Sequence, residues 1–278
     1  MEKRYTTLLS IAGSDSSGGA GIQADIKTCC ALGVYSLTAV TTITAQHSRG
    51  ITECFPIPHG ILKAQLEAIT SDIIPDAVKI GVISDKDSIS TVSEWIIRHK
   101  IKNVVVDPVV ISTSGYDMTT GDTITYLKKY LFPLTTIITP NIPEIEQLTS
   151  YKIDTLLGLP DSQIINSLGC NVLIKGGHSD TPDYCRDILI CTDGSKTAFS
   201  HARINSLNTH GTGCSLSTAI GCYLAIGYTI HESVEKAIEW TGVAIEEGRT
   251  VRHVCSNGPI NHIFKNAIYK QINNEDNN

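Results

Sequence analysis

The chain has 278 residues, of which 41% are hydrophobic and 18% charged, with a formal net charge of −6. That length fits one large α/β domain or two small ones. The acidic balance leaves no basic stretch to neutralise a phosphate backbone, so a nucleic-acid partner is excluded, while a locally positive nucleotide pocket is not.

The predicted elements follow in chain order. Residues 7–12 read as a first strand, followed by a Gly/Ser loop and a helix over about 22–32. Residues 36–44 read as a second strand and 62–69 as helical. A short strand over 76–80 ends at Gly81, and Ile89, Val92 and Ile96 share one helical face. Residues 103–107, Asn-Val-Val-Val-Asp, read as a compact buried strand ending in a carboxylate. Residues 123–130 read as helical, 136–139 and 172–174 as strands. Residues 187–192 and 196–201 form a hairpin turned at Asp193-Gly194. Two long helices close the chain, over about 214–226 and 231–249. Strands alternating with helices imply a mostly parallel sheet with helices on both faces, and the late hairpin implies antiparallel strands at one edge. With no linker or repeat, a single domain over 1–272 is expected, with a polar tail at 273–278.

No run of about 18 apolar residues occurs, so no membrane span is expected. The nine cysteines are odd in number and scattered, with no C-x-x-C pair. The apolar run at 8–12 is too short for a signal peptide. A reducing, cytoplasmic compartment is therefore expected, with most thiols acting as small buried hydrophobes.

Four segments carry chemistry. Residues 208–214 read Asn-Thr-His-Gly-Thr-Gly-Cys, and Leu216, Ala219, Ile220, Tyr223 and Leu224 behind them give the spacing of a buried helix face. Glycines at a helix start make an anion hole from unpaired N–H groups and the positive helix end. Cys214 lies where that field is expected to favour its thiolate, either as a base for a hydroxyl acceptor or as a covalent nucleophile. Together these suggest phosphoryl transfer to a hydroxyl. Residues 12–25, Ala-Gly-Ser-Asp-Ser-Ser-Gly-Gly-Ala-Gly-Ile-Gln-Ala-Asp, follow a strand. They match neither a dinucleotide fingerprint nor a P-loop. Asp25 either faces a pocket or complements the helix dipole.

The other two segments sit at strand ends. The Gln46 amide suits the edge of a heteroaromatic ring. Asp107, Asn141 and Glu144 form an oxygen-rich trio suited to Mg²⁺. Lys175, in Lys-Gly-Gly-His, is placed to meet a phosphate.

With these strings in order over about residues 6–262, the chain resembles the ribokinase-like superfamily. More closely, it is similar to the hydroxymethylpyrimidine/phosphomethylpyrimidine kinases of thiamine biosynthesis. Also matching are Ala45-Gln46, Lys79-Ile-Gly81, Thr139-Pro-Asn-Ile-Pro-Glu144 and Asn257-Gly-Pro-Ile-Asn-His262. The resemblance implies an α/β, three-layer αβα sandwich. It implies ATP and Mg²⁺, and two successive phosphorylations: of 4-amino-5-hydroxymethyl-2-methylpyrimidine, then of its monophosphate. It implies that Cys214 is the base and that Gly211, Thr212 and Gly213 line the anion hole. Asp25, Gln46, Gly13, Val82 and Val110 would take the pyrimidine. Lys175, Asn208 and Asn141 would serve the nucleotide, and Glu144 and Asp107 the metal. A homodimer is also implied, and pyridoxal or pyridoxine is the alternative substrate.

Overall fold

The computed structural model describes residues 3–109, 121–178, 183–251 and 257–266. In chain order the elements are β1 (Thr7–Asp15), α1 (Gly21–Ala31), β2 (Tyr35–His47), β3 (Gly50–Pro56), α2 (His59–Thr70), β4 (Ala77–Ile80), α3 (Lys86–His99) and β5 (Val104–Val106). There follow α4 (Gly121–Tyr126), β6 (Ile137–Ile138), α5 (Ile142–Thr149), α6 (Ile153–Leu157), α7 (Asp161–Leu168), β7 (Asn171–Ile174), β8 (Tyr184–Ile190), β9 (Lys196–Ala202), α8 (Thr212–Ile226) and α9 (Ile230–Gly248).

The described strands form one sheet in the order β3-β2-β1-β4-β5-β6-β7-β8-β9. The run from β2 to β7 is parallel, and β3, β8 and β9 pair antiparallel. The centre is parallel because strands such as Val104–Val106 are apolar on both faces and must be covered on both. Alternation then sorts them. Val104 and Val106 join a core with Leu62 and Leu66 of α2, Ile89, Val92 and Trp95 of α3, and Ile145 and Leu148 of α5. Val105 points the other way, into a core with Leu216, Ala219 and Ile220 of α8 and Val234, Ala237 and Trp240 of α9. The outcome is three layers, helix–sheet–helix. The side holding α8 is the one that carries the glycine-rich loop.

Several elements differ from expectation. β3 was not anticipated, and it makes the second sheet edge antiparallel as well; the late hairpin had suggested only one. β2 is longer than its apolar core because β3 pairs with its far half, from Thr42 to His47. The helix expected over 123–130 ends at Tyr126 and continues as one wide π turn, Leu127–Leu131, before Pro133 breaks it. The short helices α6 and α7 were also missed. The β8–β9 hairpin is as read, turning with Gly194 at φ 87°. No described helix is long and apolar enough to cross a membrane. Eight described cysteines are free, four of them buried; Cys255 lies outside the described residues.

Candidate active site

Two glycine loops meet at the N-terminus of α8. Gly211 caps that helix with φ 82°, and a Cβ there would collide with the Gly19 carbonyl. A Cβ on Gly19 would in turn strike the His210 ring. Only glycine allows this approach. The first helical bond of α8 runs from Ser215 N to Gly211 O at 2.9 Å. The amides of Gly213 and Cys214 precede it, at the positive end of the helix. Beneath the turn, the Ser215 hydroxyl donates to Gly211 O and lies 2.8 Å from His262 Nε2. Burial, helped by the charge on Lys27, pushes the His262 imidazole down to about 4, so the ring is neutral at physiological pH.

Asp15, at the end of β1, organises the N-terminal loop. Its carboxylate accepts from Ser17 N (2.8 Å), Ser17 Oγ (2.7 Å), Gly19 N (3.2 Å) and Ala20 N (2.8 Å), with His210 Nε2 at 3.0 Å. Burial works against the charge, but the bonds from His210, Ser17 and Ala20 hold the carboxyl well below the usual range.

Cys214 is half-buried at the first turn of α8 and receives the Gly21 N–H. Its thiol is pushed up from the ordinary value. Burial is the main cause, Lys79 pulls the other way, and Asp25 and Asp107 add to the rise. The expected thiolate-favouring field is therefore outweighed: the helix dipole and one ammonium do not offset lost hydration and two nearby carboxylates. Lys79, in the middle of β4, has a side chain with no exposed surface and bonds Asp25 at 2.9 and 3.0 Å. Asp25 is equally buried and also accepts from Thr218 Oγ1 (2.7 Å) and Ser10 Oγ (2.5 Å). Asp25 thus lies under the site, anchoring Lys79, rather than in the lining where the resemblance put it.

On the other flank, Lys175 Nζ lies 2.8 Å from Asp107 Oδ1 and 4.0 Å from Glu144 Oε2. A Cβ on Gly213 would sit 3.3 Å from that Nζ and 3.4 Å from Asp107 Oδ2, so this group borders the anion loop. Glu144 is pushed up to about 7, mainly by burial; Lys175 opposes the rise and Asp107 adds to it.

A family model described as phosphomethylpyrimidine kinase matches residues 15–261. The chain belongs to the phosphomethylpyrimidine kinase family. A hydroxymethylpyrimidine/phosphomethylpyrimidine kinase of Bacillus subtilis (strain 168) is 38% identical over 257 residues, covering 91% of this chain and 93% of that one. The crystal structure of phosphomethylpyrimidine kinase from Clostridium difficile 630 is 41% identical and superposes with a TM-score of 0.74, covering 86% of this chain and 99% of that one. An ADP complex of Bacillus subtilis pyridoxal kinase is 34% identical with a TM-score of 0.83, covering 93% and 98%. The chain is a phosphotransferase with the ribokinase-like fold its sequence implied.

For a member of this family, the structure brings Gly211, Thr212, Gly213, Cys214, Asp107, Glu144 and Lys175 together. Gln46 reaches the same place from the end of β2, with its amide 3.2 Å from His210 Nε2. Gly13 sits half-buried at a bulge between β1 and β2, and Val82 is half-buried just past β4, its carbonyl accepting from Thr41 Oγ1 at 2.7 Å. Val110 lies outside the described residues. Two nucleotide-side expectations change. Asn208 spends its amide hydrogens on the carbonyls of Gly248 (2.7 Å) and Val251 (2.8 Å), so it ties the loop to the end of α9 instead of reaching a ligand. Asn141 caps α5, its Oδ1 accepting from Glu144 N at 2.9 Å while Glu144 Oε2 accepts from Asn141 N at 2.7 Å.

Lys79, Asp15 and His262 were missed as site-forming residues. The signal for Lys79 was a charge inside the apolar run Ala-Val-Lys-Ile; such a buried ammonium demands a carboxylate partner. Asp15 was readable as an Asx-turn residue opening a Ser/Gly loop.

Proposed function

We propose that this enzyme uses ATP to phosphorylate 4-amino-5-hydroxymethyl-2-methylpyrimidine, and then its monophosphate to the diphosphate, for thiamine biosynthesis. The observation that carries the reading is the position of Cys214. It stands at the mouth of α8, where the Gly211–Gly213 turn meets the Lys175–Asp107–Glu144 group. The amides of Gly213 and Cys214 would receive charge on the migrating γ-phosphoryl group. Lys175 would neutralise phosphate oxygens. Cys214 in its thiolate form would take the proton of the acceptor hydroxyl as its oxygen bonds to phosphorus. Because the thiol is raised in the fold, turnover is expected to increase with pH as the thiolate fraction grows.

Two carboxylates, Asp107 and Glu144, form a hard oxygen set that fits Mg²⁺, an ion that keeps phosphate oxygens and waters among its ligands. When bound, the ion supplies charge neutralisation to the phosphates. Gln46, with Gly13, Val82 and Val110 around it, would take the pyrimidine ring. The reading includes a single domain over 1–272, a homodimer and a cytoplasmic location; sedimentation measures the dimer.

Superposition on a pyridoxal kinase at TM-score 0.83 favours pyridoxal or pyridoxine as a second substrate. Mass spectrometry of products from ATP, Mg²⁺ and each alcohol tests both readings. Mono- and diphosphate of the pyrimidine are expected. Pyridoxal phosphate alone would replace the first reading by the second, and no phosphorylated product would remove both.

A further inference from the structure

His210 stands between the N-terminal loop, the anion loop and the end of β2, and the phosphoryl-transfer scheme gives it no task. Its Nε2 is 3.0 Å from Asp15 Oδ2 and 3.2 Å from the Gln46 amide nitrogen. Asp15 already accepts four bonds from Ser17, Gly19 and Ala20. It is an ionised acceptor with no proton to give. Nε2 must therefore carry the proton, since a bare nitrogen would set lone pair against lone pair.

That requirement decides the orientation of the Gln46 amide. The amide nitrogen facing His210 sets N–H against N–H. Amide oxygen and nitrogen have nearly the same shape, so the orientation that satisfies both partners is the reverse one, with the carbonyl oxygen toward His210. A second contact requires the same orientation. Thr44 Oγ1 donates its only proton to Ser14 O at 2.9 Å, and it lies 3.3 Å from the Gln46 amide oxygen. An oxygen there faces a second acceptor, so the reversed amide, with its nitrogen toward Thr44, is again the satisfied one. The backbone of Gln46 is also fixed: its N–H donates to Ser16 Oγ at 2.8 Å, and Ser16 Oγ donates to its carbonyl at 2.9 Å. The ring lies close over Gly19, where a Cβ would collide with its Cδ2.

We infer that His210 and Asp15 are a positioning pair that locks the Gln46 amide in one orientation and so sets which heteroaromatic edge the site accepts. The locked amide offers a carbonyl oxygen and an N–H in a single sense. A ring nitrogen beside an exocyclic amine, as in an aminopyrimidine, matches both. A pyridine without that amine matches at most one. A free amide would flip and lose this discrimination. The inference rests on the reading that Gln46 meets the substrate ring.

Titration calorimetry with the aminopyrimidine alcohol and with pyridoxal tests it without catalysis. His210→Phe keeps the ring volume and removes the donor. It is expected to weaken aminopyrimidine binding about tenfold and pyridoxal binding by less than about threefold. Combined with Gln46→Ala, it should bind no more weakly than Gln46→Ala alone. Additive losses, or equal losses for both ligands, overturn the inference. His210→Gln restores an N–H near the Nε2 position and should recover most of the discrimination; failure to do so also overturns it. Should His210→Phe not fold, ¹⁵N NMR of the wild-type imidazole decides, with protonated Nε2 expected and bare Nε2 contradicting. A wild-type protein that does not bind the aminopyrimidine refutes the proposed substrate instead, and the imidazole measurement still judges the pair.

Discussion

Replacing Lys79 with methionine tests the charge pair beneath Cys214. Both side chains of the Lys79–Asp25 pair have no exposed surface. Removing the ammonium leaves the Asp25 carboxylate with only the Ser10 and Thr218 hydroxyls. Breaking a buried pair from one side costs about 3–5 kcal/mol. At about 2–4 °C per kcal/mol for chains of this class, Tm should fall by roughly 6–20 °C. The sign with pH is definite. The folded Lys79 pKa is raised above its unfolded value, chiefly by Asp25 acting against burial. Its contribution is thus complete below about 10.4 and lost only as pH rises through the folded value. Calorimetry at pH 7 therefore reads the whole penalty. The same change removes the main influence lowering the Cys214 thiol, so alkylation of Cys214 by iodoacetamide, followed by peptide mass spectrometry, should shift to higher pH. Lys79→Met with Asp25→Leu should recover much of the stability and, because Asp25 raises the Cys214 thiol, bring the alkylation profile part of the way back. An unchanged Tm together with an unchanged alkylation profile would refute the role assigned to Lys79.

Three further outcomes are expected. Gly211→Ala places a Cβ against the Gly19 carbonyl at φ 82°; kcat should fall at least about 100-fold, by loss of the preorganised anion hole, with little change in far-UV circular dichroism. Asn208→Ala removes two bonds to the end of α9 and should cost about 1–3 kcal/mol in urea unfolding while leaving the KM for ATP within about threefold. For His262, whose folded pKa is lowered to about 4 by burial, the unfolded chain takes up a proton below about 6.5 that the folded chain refuses, so this group costs about 2 kcal/mol of stability between pH 7 and 5. His262→Gln should flatten that part of the urea-unfolding pH profile, and parallel profiles would contradict it.

The parallel core was legible because Val104–Val106 and residues 172–174 are unbroken apolar runs, which only a doubly covered sheet accommodates. The glycine loop was legible because Gly211 and Gly213 precede a helical period. β3 was not, since its residues are exposed or half-buried and show no apolar alternation; pairing with the end of β2 makes it a strand. α6 is only one turn long and held by neighbours, as propensity alone would not foresee. The site failed to be legible where long-range pairing decides the role. Asp25 looked like a pocket residue until Lys79, 54 positions away, proved to consume it. Asn208 looked like a ligand until the end of α9 claimed its amide. The sign of the Cys214 shift depends on burial and on Asp107, neither of which spacing reveals.

The central claim is that Cys214 strips the acceptor hydroxyl beside an anion hole that binds phosphate independently of it. The most direct test is Cys214→Ala, with kcat measured on the aminopyrimidine alcohol and ATP affinity measured by calorimetry. A fall in kcat of about 100-fold or more, with ATP affinity held within about threefold, is the expected result. Turnover close to wild type would contradict it.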